Sequence, residues 1–404
     1  MNKIKENKNK KAVQKLLDTP SIKFSLQVLK KQNLENLELT PENLEVLKSH
    51  GLENWAYENI PAWRPALKTR RMFLLQRAMS QLSALIKIKK AFEAENIDFI
   101  VLKGLPLSML LYGDYTIRQC VDLDLFVSPD QAMRAHILLQ KLGYVPLLFD
   151  PFNRMNPTTS DEMRLTQLQW KDVDYYHREE SLALDCHWRL IKHPGHMNKD
   201  FDFFLQRSQK VQLGPESFKI LSSEDLFIHL CLHGISHHFE KLGWLVDIDK
   251  LLDQMGEYNS VDWKRVIKLA RSFHALASVL IAFRWREIFF NKTMPTEIKN
   301  LWDQSWTLPL LIKTDAAFIQ KRPWARSIVG RVSARVLLYP SLKDIWFDYR
   351  LILLSHHQAL LKKYYATCPK LTLALCYFLE PVIMLGRLFK YSGQGLVRFF
   401  HRFI

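Results

Sequence analysis

Hydrophobic and polar positions follow two different periods along this chain. Residues 12–95 place Leu and Lys at helical spacing, and 66–96 is predicted to form one long amphipathic helix. Short apolar segments typical of strands follow at 99–102 and 121–127, and helical spacing returns from Ser222 onward. The pattern predicts an α+β fold, in which a small mixed β-sheet core is flanked by N-terminal helices and a large C-terminal helical region.

The changes of period divide the 404 residues into four regions. We expect an N-terminal helical region at 1–95 and an αβ core at 96–215. Two helical regions follow at 216–300 and 301–404, and the last of them is basic and amphipathic.

Turn-forming residues set the expected elements of the core. Gly104 precedes a predicted short helix at 105–112. Ser128 is the expected N-cap of a helix that ends near Leu142, with Gly143 in the left-handed conformation. The other expected elements are a strand, a loop and a β-hairpin, at 144–149, at 150–168, and at 172–177 with 182–188.

Two carboxylates lie on one face of the predicted strand at 121–127. Side chains alternate along a strand, so Leu123 and Leu125 point to one face while Asp122 and Asp124 point to the other. Two like charges side by side repel, and a buried carboxylate is costly unless something compensates it. A hard divalent cation is the usual compensation, because oxygen ligands suit it. The alternative is an edge strand whose carboxylates face solvent.

A third carboxylate belongs to the second strand of the predicted hairpin. Leu184 and Cys186 share one face of that strand, whereas Asp185 and His187 share the other. Asp185 would therefore reach the same site from a neighbouring strand, or it would be a surface residue of the hairpin.

Positive charge is concentrated at the two ends of the chain. The formal net charge is +16, of which residues 1–15 carry +5 and residues 351–404 carry +6. Segment 387–404 alternates basic and apolar residues at helical spacing, so we expect an amphipathic basic helix that contacts an anionic membrane surface or docks on the core. The basic segment 1–15 suits an anionic partner or is simply solvated. The near-neutral remainder makes nucleic acid a less suitable partner.

Cysteine usage and targeting signals predict a cytoplasmic protein. The five Cys are scattered without CxxC spacing, which favours a reducing compartment. No apolar segment follows the N-terminal Lys run, so we expect no signal peptide. The best candidate for a membrane span, at 370–387, is interrupted by Glu380 and Pro381. Membrane association would therefore be peripheral, at the inner face.

Eight short motifs follow one another along residues 70–285. They are Leu102-Lys103-Gly104, Arg118, Asp122-Leu123-Asp124-Leu125-Phe126-Val127, Leu138-Leu139-Gln140-Lys141-Leu142-Gly143-Tyr144, Leu184-Asp185-Cys186-His187-Trp188, Ser223-Glu224-Asp225-Leu226, Leu230-Cys231-Leu232-His233-Gly234 and Trp244-Leu245-Val246-Asp247-Ile248. This set resembles the nucleotidyltransferase superfamily of the DNA polymerase β type, and more closely the family of uncharacterised nucleotidyltransferases. One departure from the wider superfamily is Leu105, which stands where a Ser or Gly usually follows the turn glycine.

The resemblance implies transfer of a nucleoside monophosphate from a nucleoside triphosphate (NTP) donor by a two-metal mechanism. Asp122, Asp124 and Asp185 would bind Mg²⁺ or Mn²⁺. Gly104 would let the backbone approach the triphosphate, while Lys103 and Arg118 would neutralise it or be ordinary surface charges. The acceptor would be a hydroxyl or phosphate group on a small molecule, a saccharide, a protein or a lipid-linked molecule. The alternative is a non-catalytic nucleotide- or partner-binding protein on a degenerate scaffold.

Three histidines lie four residues apart, so a helix would place them on one face: His229, His233 and His237. A zinc site needs three or four convergent ligands, and neither an HExxH motif nor a nearby Cys supports one. We instead expect His233 and His237 either to be structural or to line an acceptor pocket in the 216–300 region, together with His187 and Asp247. Asp247 is expected to pair with one of these histidines.

Overall fold

A computed structural model of the chain describes residues 13–32, 34, 37–147, 157, 159–169, 171–190, 200–256, 261–305 and 308–320. The C-terminal segment predicted to contact a membrane, 387–404, lies outside the described residues. Within them, no helix is both long and apolar enough to cross a membrane.

Helices form the N-terminal part of the described chain. The helix α2 begins after Thr40, whose side chain accepts a hydrogen bond from the backbone N–H of Asn43 at 3.2 Å, and it ends at Gly51 in the left-handed conformation. The long helix expected at 66–96 is confirmed as α4, which begins and ends two residues earlier than predicted. The helices are α1 (Pro20–Lys30), α2 (Pro41–His50), α3 (Glu53–Asn59) and α4 (Arg64–Ala94), with a 3₁₀ turn at Pro61–Trp63.

The described residues form one mixed sheet of seven strands, in the order β3-β4-β5-β2-β1-β7-β6. Strand β2 runs parallel to β5 and β1 runs parallel to β7, whereas the other neighbours are antiparallel. The predicted α+β class is therefore confirmed. The strands are β1 (Phe99–Val101), β2 (Asp122–Val127), β3 (Tyr144–Pro146), β4 (Asp172–His177), β5 (Leu182–His187), β6 (Gln209–Leu213) and β7 (Glu216–Ile220).

The remaining helices connect the strands and then extend beyond the sheet. The expected short helix at 105–112 is confirmed as α5, and helical structure follows Ser222 as predicted. These helices are α5 (Leu105–Tyr112), α6 (Ala132–Lys141), α7 (Ser160–Gln169), α8 (Phe201–Arg207), α9 (Ser223–Ser236), α10 (Leu242–Gln254), α11 (Trp263–Ser272), α12 (Leu276–Phe290), α13 (Thr296–Gln304) and α14 (Leu308–Ile319).

The two faces of the sheet pack into two different hydrophobic cores. Leu123 and Leu125 of β2 join the core that includes Leu85 of α4. Phe126 points the other way, into the core that includes Leu226 of α9. Because residues two apart on a strand share a face, the carboxylates of β2 lie on the Phe126 side. The sheet therefore presents its acids toward the C-terminal helices.

One local expectation is wrong and another holds only in part. The segment 150–168 was expected to be a loop, but α7 occupies its second half. Thr159 caps this helix by accepting a hydrogen bond from the Glu162 N–H at 3.2 Å, and Met163 and Thr166 are buried in an otherwise polar sequence. Ser128 lies at the expected N-cap position but makes no side-chain hydrogen bond there, and a 3₁₀ turn at Pro129–Gln131 leads into α6.

The sheet continues further along the chain than the expected core. The hairpin β6–β7 was not predicted, and β7 lies beyond residue 215 although it pairs with β1 inside the sheet. Strand β3 ends at Pro146, and the rest of the segment expected as a strand, 148–149, lies outside the described residues. The division into four regions stays a prediction.

Candidate active site

A row of carboxylates crosses three neighbouring strands of the sheet. Asp124 on β2 lies opposite Asp185 on β5, which in turn lies opposite Asp174 on β4. Residues directly opposite in paired strands point to the same face, so the three side chains form one row. Asp122 and Asp172 lie two residues away on their strands and share this face.

Asp124 is held between a lysine and a histidine. Its Oδ2 lies 3.1 Å from Lys103 Nζ, and its Oδ1 lies 3.2 Å from His187 Nε2. Burial acts to raise the pKa of Asp124, but the Lys103 ammonium and the hydrogen bond from His187 outweigh it and lower the pKa below its ordinary value. Asp124 is therefore an ionised carboxylate at neutral pH. Asp122 is the second partner of the same lysine, with its Oδ1 at 3.9 Å from Lys103 Nζ.

Asp185 titrates differently from its neighbour. Burial, followed by the negative charges of Asp124 and Asp174, raises the pKa of Asp185 to about 9. The pKa of Asp122 is also raised, by burial and then by Asp124. Such a cluster holds either an extra proton or a bound cation at neutral pH, because the carboxylates repel one another.

Ligand atoms for a hard cation converge at this row. One oxygen or ring nitrogen from each of Asp124, Asp185 and His187 lies within 4.8 Å of the others, and the same holds for the set Asp172, Asp174 and Asp185. Carboxylate oxygens dominate both sets, and Mg²⁺ and Mn²⁺ prefer such ligands. The donor chemistry therefore fits a divalent cation of this kind.

Gly104 supplies a backbone conformation that other residues rarely adopt. It has φ +78° and ψ −139°, and it precedes the first residue of α5. A side-chain carbon placed on Gly104 would meet no atom within 4 Å, so the space beside the turn is open. The N–H of Leu102 donates to the Asp124 carbonyl at 3.0 Å, which holds the turn beside the acidic strand.

Arg118 and Asp247 form a buried ion pair that links the sheet region to α10. Arg118 Nε lies 2.7 Å from Asp247 Oδ2, and the Tyr112 hydroxyl donates to Asp247 Oδ1 at 2.8 Å. The expectation that Asp247 pairs with a histidine is therefore wrong. Both carboxylate oxygens of Asp247 already have partners, since Tyr112 at the end of α5 bonds Oδ1 and Arg118 bonds Oδ2.

One cavity of about 610 Å³ lies between the acidic face of the sheet and the helices α2, α3, α9 and α10. Most of the residues singled out from the sequence line it, and Gly104 lies in the chain beside one of them, Lys103. The predicted residues on its wall are Lys103, Arg118, Asp122, Asp124, Asp185, His187, His233, His237 and Asp247.

The α9 side of the cavity carries several imidazoles and an indole, and Lys241 lies beside them, with its Nζ 5.5 Å from the centre of the Trp244 ring. The rings of His233 and His237 lie 4.9 Å and 5.3 Å from the Trp244 ring. Burial, and then the positive charge of Lys103, lowers the pKa of His229 to about 3 and that of His237 to about 4, and the pKa of His233 is also far below its ordinary value. These three side chains are neutral at pH 7.

His229 lacks hydrogen-bond partners within the protein. It is 8 % exposed, and neither ring nitrogen has a hydrogen-bond partner within the protein. A buried polar group normally finds a partner, since leaving it unpaired costs about 1–3 kcal/mol. Its partner therefore comes from the contents of the cavity. A zinc site gains no support, because among the described residues the convergent ligand sets are the two acidic ones.

The sequence matches a known protein family over most of the described sheet and helices. The model of the family described as uncharacterised nucleotidyltransferase matches residues 39–291. The chain belongs to this family. The suspected resemblance is thereby confirmed, and the match begins earlier than the expected residues 70–285, so that it includes α2 and α3. No curated protein matches the sequence.

The nucleotidyltransferase match contains both walls of the cavity. The carboxylates of β2, β4 and β5, the turn at Gly104 and the histidines of α9 all fall within residues 39–291. The acidic cluster is thus a property of the family region of the chain and does not depend on residues outside it.

Some residues of the site were not singled out from the sequence. Asp172 and Asp174 lie on the first strand of the predicted hairpin. Counting back from the paired ends His177 and Leu182 places Asp174 opposite Asp185, so the sequence did carry a signal for this residue. Lys171, which bonds Asp172 and lies 3.1 Å from His187 Nδ1, carried no separate signal. Its position depends on the tertiary fold.

Proposed function

We propose that the protein is a metal-dependent nucleotidyltransferase that moves a nucleoside monophosphate from an NTP to a hydroxyl or phosphate acceptor. The observation that carries this proposal is the acidic row of Asp124 and Asp185, with Asp122 beside it, in a chain of the nucleotidyltransferase family. The open glycine turn next to Asp124 supports it, because backbone N–H groups at such a turn suit a phosphate.

Asp122, Asp124 and Asp185 would hold Mg²⁺ or Mn²⁺. When bound, two such cations would neutralise the triphosphate and stabilise the attacking and leaving oxygens of an in-line displacement. The oxygen-rich donor set supports this assignment, as does the raised pKa of Asp185 at about 9, since both point to a cluster that needs added positive charge.

The reaction requires one proton transfer. The acceptor oxygen forms a bond to the α-phosphorus, the bond from that phosphorus to the oxygen bridging to the β-phosphate breaks, and pyrophosphate leaves. The proton of a hydroxyl acceptor would pass to Asp185, a carboxylate that bound cations would keep ionised and that lies in the same row as Asp124. Asp124, whose pKa is lowered, stays ionised throughout.

The acceptor would bind against the α9 wall of the cavity. His229 has two unpaired ring nitrogens, one a donor and one an acceptor, that a hydroxyl group can satisfy. His233, His237 and Trp244 offer an uncharged aromatic surface next to it. The acceptor could be a small molecule, a saccharide, a protein or a lipid-linked molecule, and nucleic acid suits the near-neutral core less well.

Transfer from labelled nucleotides tests the proposal. Purified protein with Mg²⁺ or Mn²⁺ is mixed with each α-labelled NTP and with small-molecule, lipid and protein fractions of a cell extract. We expect label to enter one fraction with release of pyrophosphate, and Asp124→Asn to lower the rate on the order of 100-fold or more. The matched control is Asp253→Asn, a half-exposed acid on α10 outside the cavity.

The same assay separates the non-catalytic alternative. A degenerate scaffold would bind an NTP in equilibrium dialysis yet transfer no label to any fraction. Equal rates for wild type and Asp124→Asn would also refute catalysis at this site. The retention of Asp122, Asp124 and Asp185 together favours the enzyme, because a scaffold that had lost catalysis would no longer need all three of these mutually repelling carboxylates.

We also propose a cytoplasmic protein that contacts the inner membrane face through segment 387–404. Its support is the sequence pattern alone, since the segment lies outside the described residues. Replacing Arg387, Lys390, Arg398 and Arg402 by Gln in the full chain should reduce flotation with liposomes that contain anionic lipid. Unchanged flotation would contradict the membrane assignment.

A further inference from the structure

Lys103 is built into the carboxylate cluster as a buried cation. Its Nζ lies 3.1 Å from Asp124 Oδ2 and 3.9 Å from Asp122 Oδ1, and the side chain is 11 % exposed. The lysine comes directly after β1, and the backbone bond from Leu102 to Asp124 fixes the end of β1 against β2. The ammonium therefore lies at the carboxylates because of the sheet register, rather than by the chance reach of a surface chain.

The lysine remains charged in this position. Two carboxylate oxygens, of Asp124 and Asp122, lie 3.1 Å and 3.9 Å from the ammonium, and opposite charges at such distances favour its charged form. Two of the carboxylates proposed to bind a divalent cation are thus already neutralised in part by the chain itself.

The contacts of Asp124 leave a cation little room to bind without displacing this lysine. Oδ1 of Asp124 faces His187 Nε2 at 3.2 Å, and Oδ2 faces the ammonium. A divalent cation bound at Oδ2 would come close to the ammonium, and like charges repel strongly where water is excluded. The ammonium and the metal ion compete for the same oxygens.

We propose that Lys103 is a resident counter-ion that competes with the divalent cation for Asp122 and Asp124, so that the cation binds weakly alone and tightly with the nucleotide. The triphosphate supplies a new partner for the ammonium and further oxygen ligands for the cation. This second half rests on the proposed function, whereas the competition itself does not. Metal and nucleotide would then enter the site together.

Binding of Mn²⁺ without any nucleotide tests the competition, with free Mn²⁺ followed by electron paramagnetic resonance. Lys103→Met removes the charge and keeps an unbranched chain, and Lys103→Arg retains a charge. We expect Lys103→Met to bind Mn²⁺ at least 10-fold more tightly than wild type, and Lys103→Arg to stay close to wild type. The matched control is Lys219→Met, which removes a lysine that bonds a single carboxylate, Asp98, away from the cavity and should change Mn²⁺ affinity less than 3-fold.

A non-hydrolysable ATP analogue tests the nucleotide half. With the analogue present, the advantage of Lys103→Met should disappear, because the wild-type ammonium has moved to the phosphates. A Lys103→Met protein that binds Mn²⁺ alone no more tightly than wild type would overturn the competition. Since these titrations need no transfer of label, their failure is distinct from failure of the proposed enzyme activity.

The stability of the variant gives a second readout. Lys103→Met leaves Asp122 and Asp124 without their lysine, so it should unfold at a lower temperature than wild type in EDTA, and Mn²⁺ should raise its melting temperature more than that of wild type. A variant that folds only with Mn²⁺ would support the proposal in the same way. A variant that stays unfolded at saturating Mn²⁺ would overturn it, because the cation would then fail to replace the ammonium.

Discussion

The buried ion pair of Arg118 and Asp247 makes a quantitative prediction about stability. In the variant Asp247→Asn the shape of the side chain is kept, and its oxygen still accepts the hydrogen bond from Tyr112. The charge is lost, however, and the Arg118 guanidinium stays buried without a counter-charge. Both side chains are nearly inaccessible to solvent, at 9 % for Arg118 and 3 % for Asp247, so solvent screening gives little relief.

Breaking a buried pair by removing one partner typically costs about 3–5 kcal/mol. We therefore expect Asp247→Asn to lower the free energy of unfolding by about 3–5 kcal/mol, measured by urea denaturation at pH 7 with an unchanged m-value. The double variant Arg118→Met with Asp247→Leu removes both charges, and it should return to within about 1–2 kcal/mol of wild type, since apolar replacements of a buried pair are often neutral.

The control for this prediction lies on the same helix. Asp253 contacts Lys292 and Arg286 but its side chain is 49 % exposed, so Asp253→Asn should cost less than about 1 kcal/mol. If Asp247→Asn costs no more than Asp253→Asn, the pair is not the link between α10 and the sheet region that its geometry indicates. Arg118 would then be available as a phosphate ligand, as first expected.

Two further predictions concern the site itself. Because folding raises the pKa of Asp185 from 3.8 to about 9, the folded protein binds an extra proton between these values, and in EDTA the free energy of unfolding should fall as pH rises from 5 to 8, by at most about 1.4 kcal/mol per pH unit. Asp185→Asn should remove this part of the pH dependence, and a wild-type-to-variant difference that is constant over the range would contradict the assignment. His229→Leu should leave stability unchanged or higher by about 1 kcal/mol while lowering transfer at least 10-fold, because the histidine has no partner to lose within the protein. His238→Leu is the matched comparison and should destabilise by about 1–3 kcal/mol, since it leaves buried Asp315 without its 2.8 Å partner; equal costs for the two variants would refute the reasoning.

The sequence was sufficient for the parts of the site that depend on local rules. Alternation along a strand placed Asp122 with Asp124, and the same rule placed Asp185 with His187. The hairpin ends were also predictable, because turn residues separate two short apolar segments. The family resemblance followed from the order of these motifs and is confirmed over residues 39–291.

Other features depend on long-range packing and could not be predicted in this way. The parallel pairing of β2 with β5 sets Asp124 against Asp185 across a separation of sixty-one positions, which no local pattern encodes. Helix α7 was missed because its sequence is mostly polar and only a few of its side chains are buried. The partner of Asp247 was mistaken because it comes from a loop that docks on α10 only in the folded chain.

The two walls of the cavity differ in charge, and one side chain contributes to both. Burial alone would disfavour an ionised Asp124, yet the Lys103 ammonium keeps that carboxylate charged. After burial, the same ammonium is the largest influence that lowers the pKa of His229, His233 and His237 on the opposite wall. In the proposed reaction, a phosphate chain and its cations would bind at the sheet wall, and an uncharged part of the acceptor would contact the three neutral imidazoles. Movement of the ammonium onto a bound triphosphate would remove positive charge from beside Asp124 and from beside the three histidines at the same time. Nucleotide binding would thereby change the hydrogen bonds that these histidines can make to the acceptor.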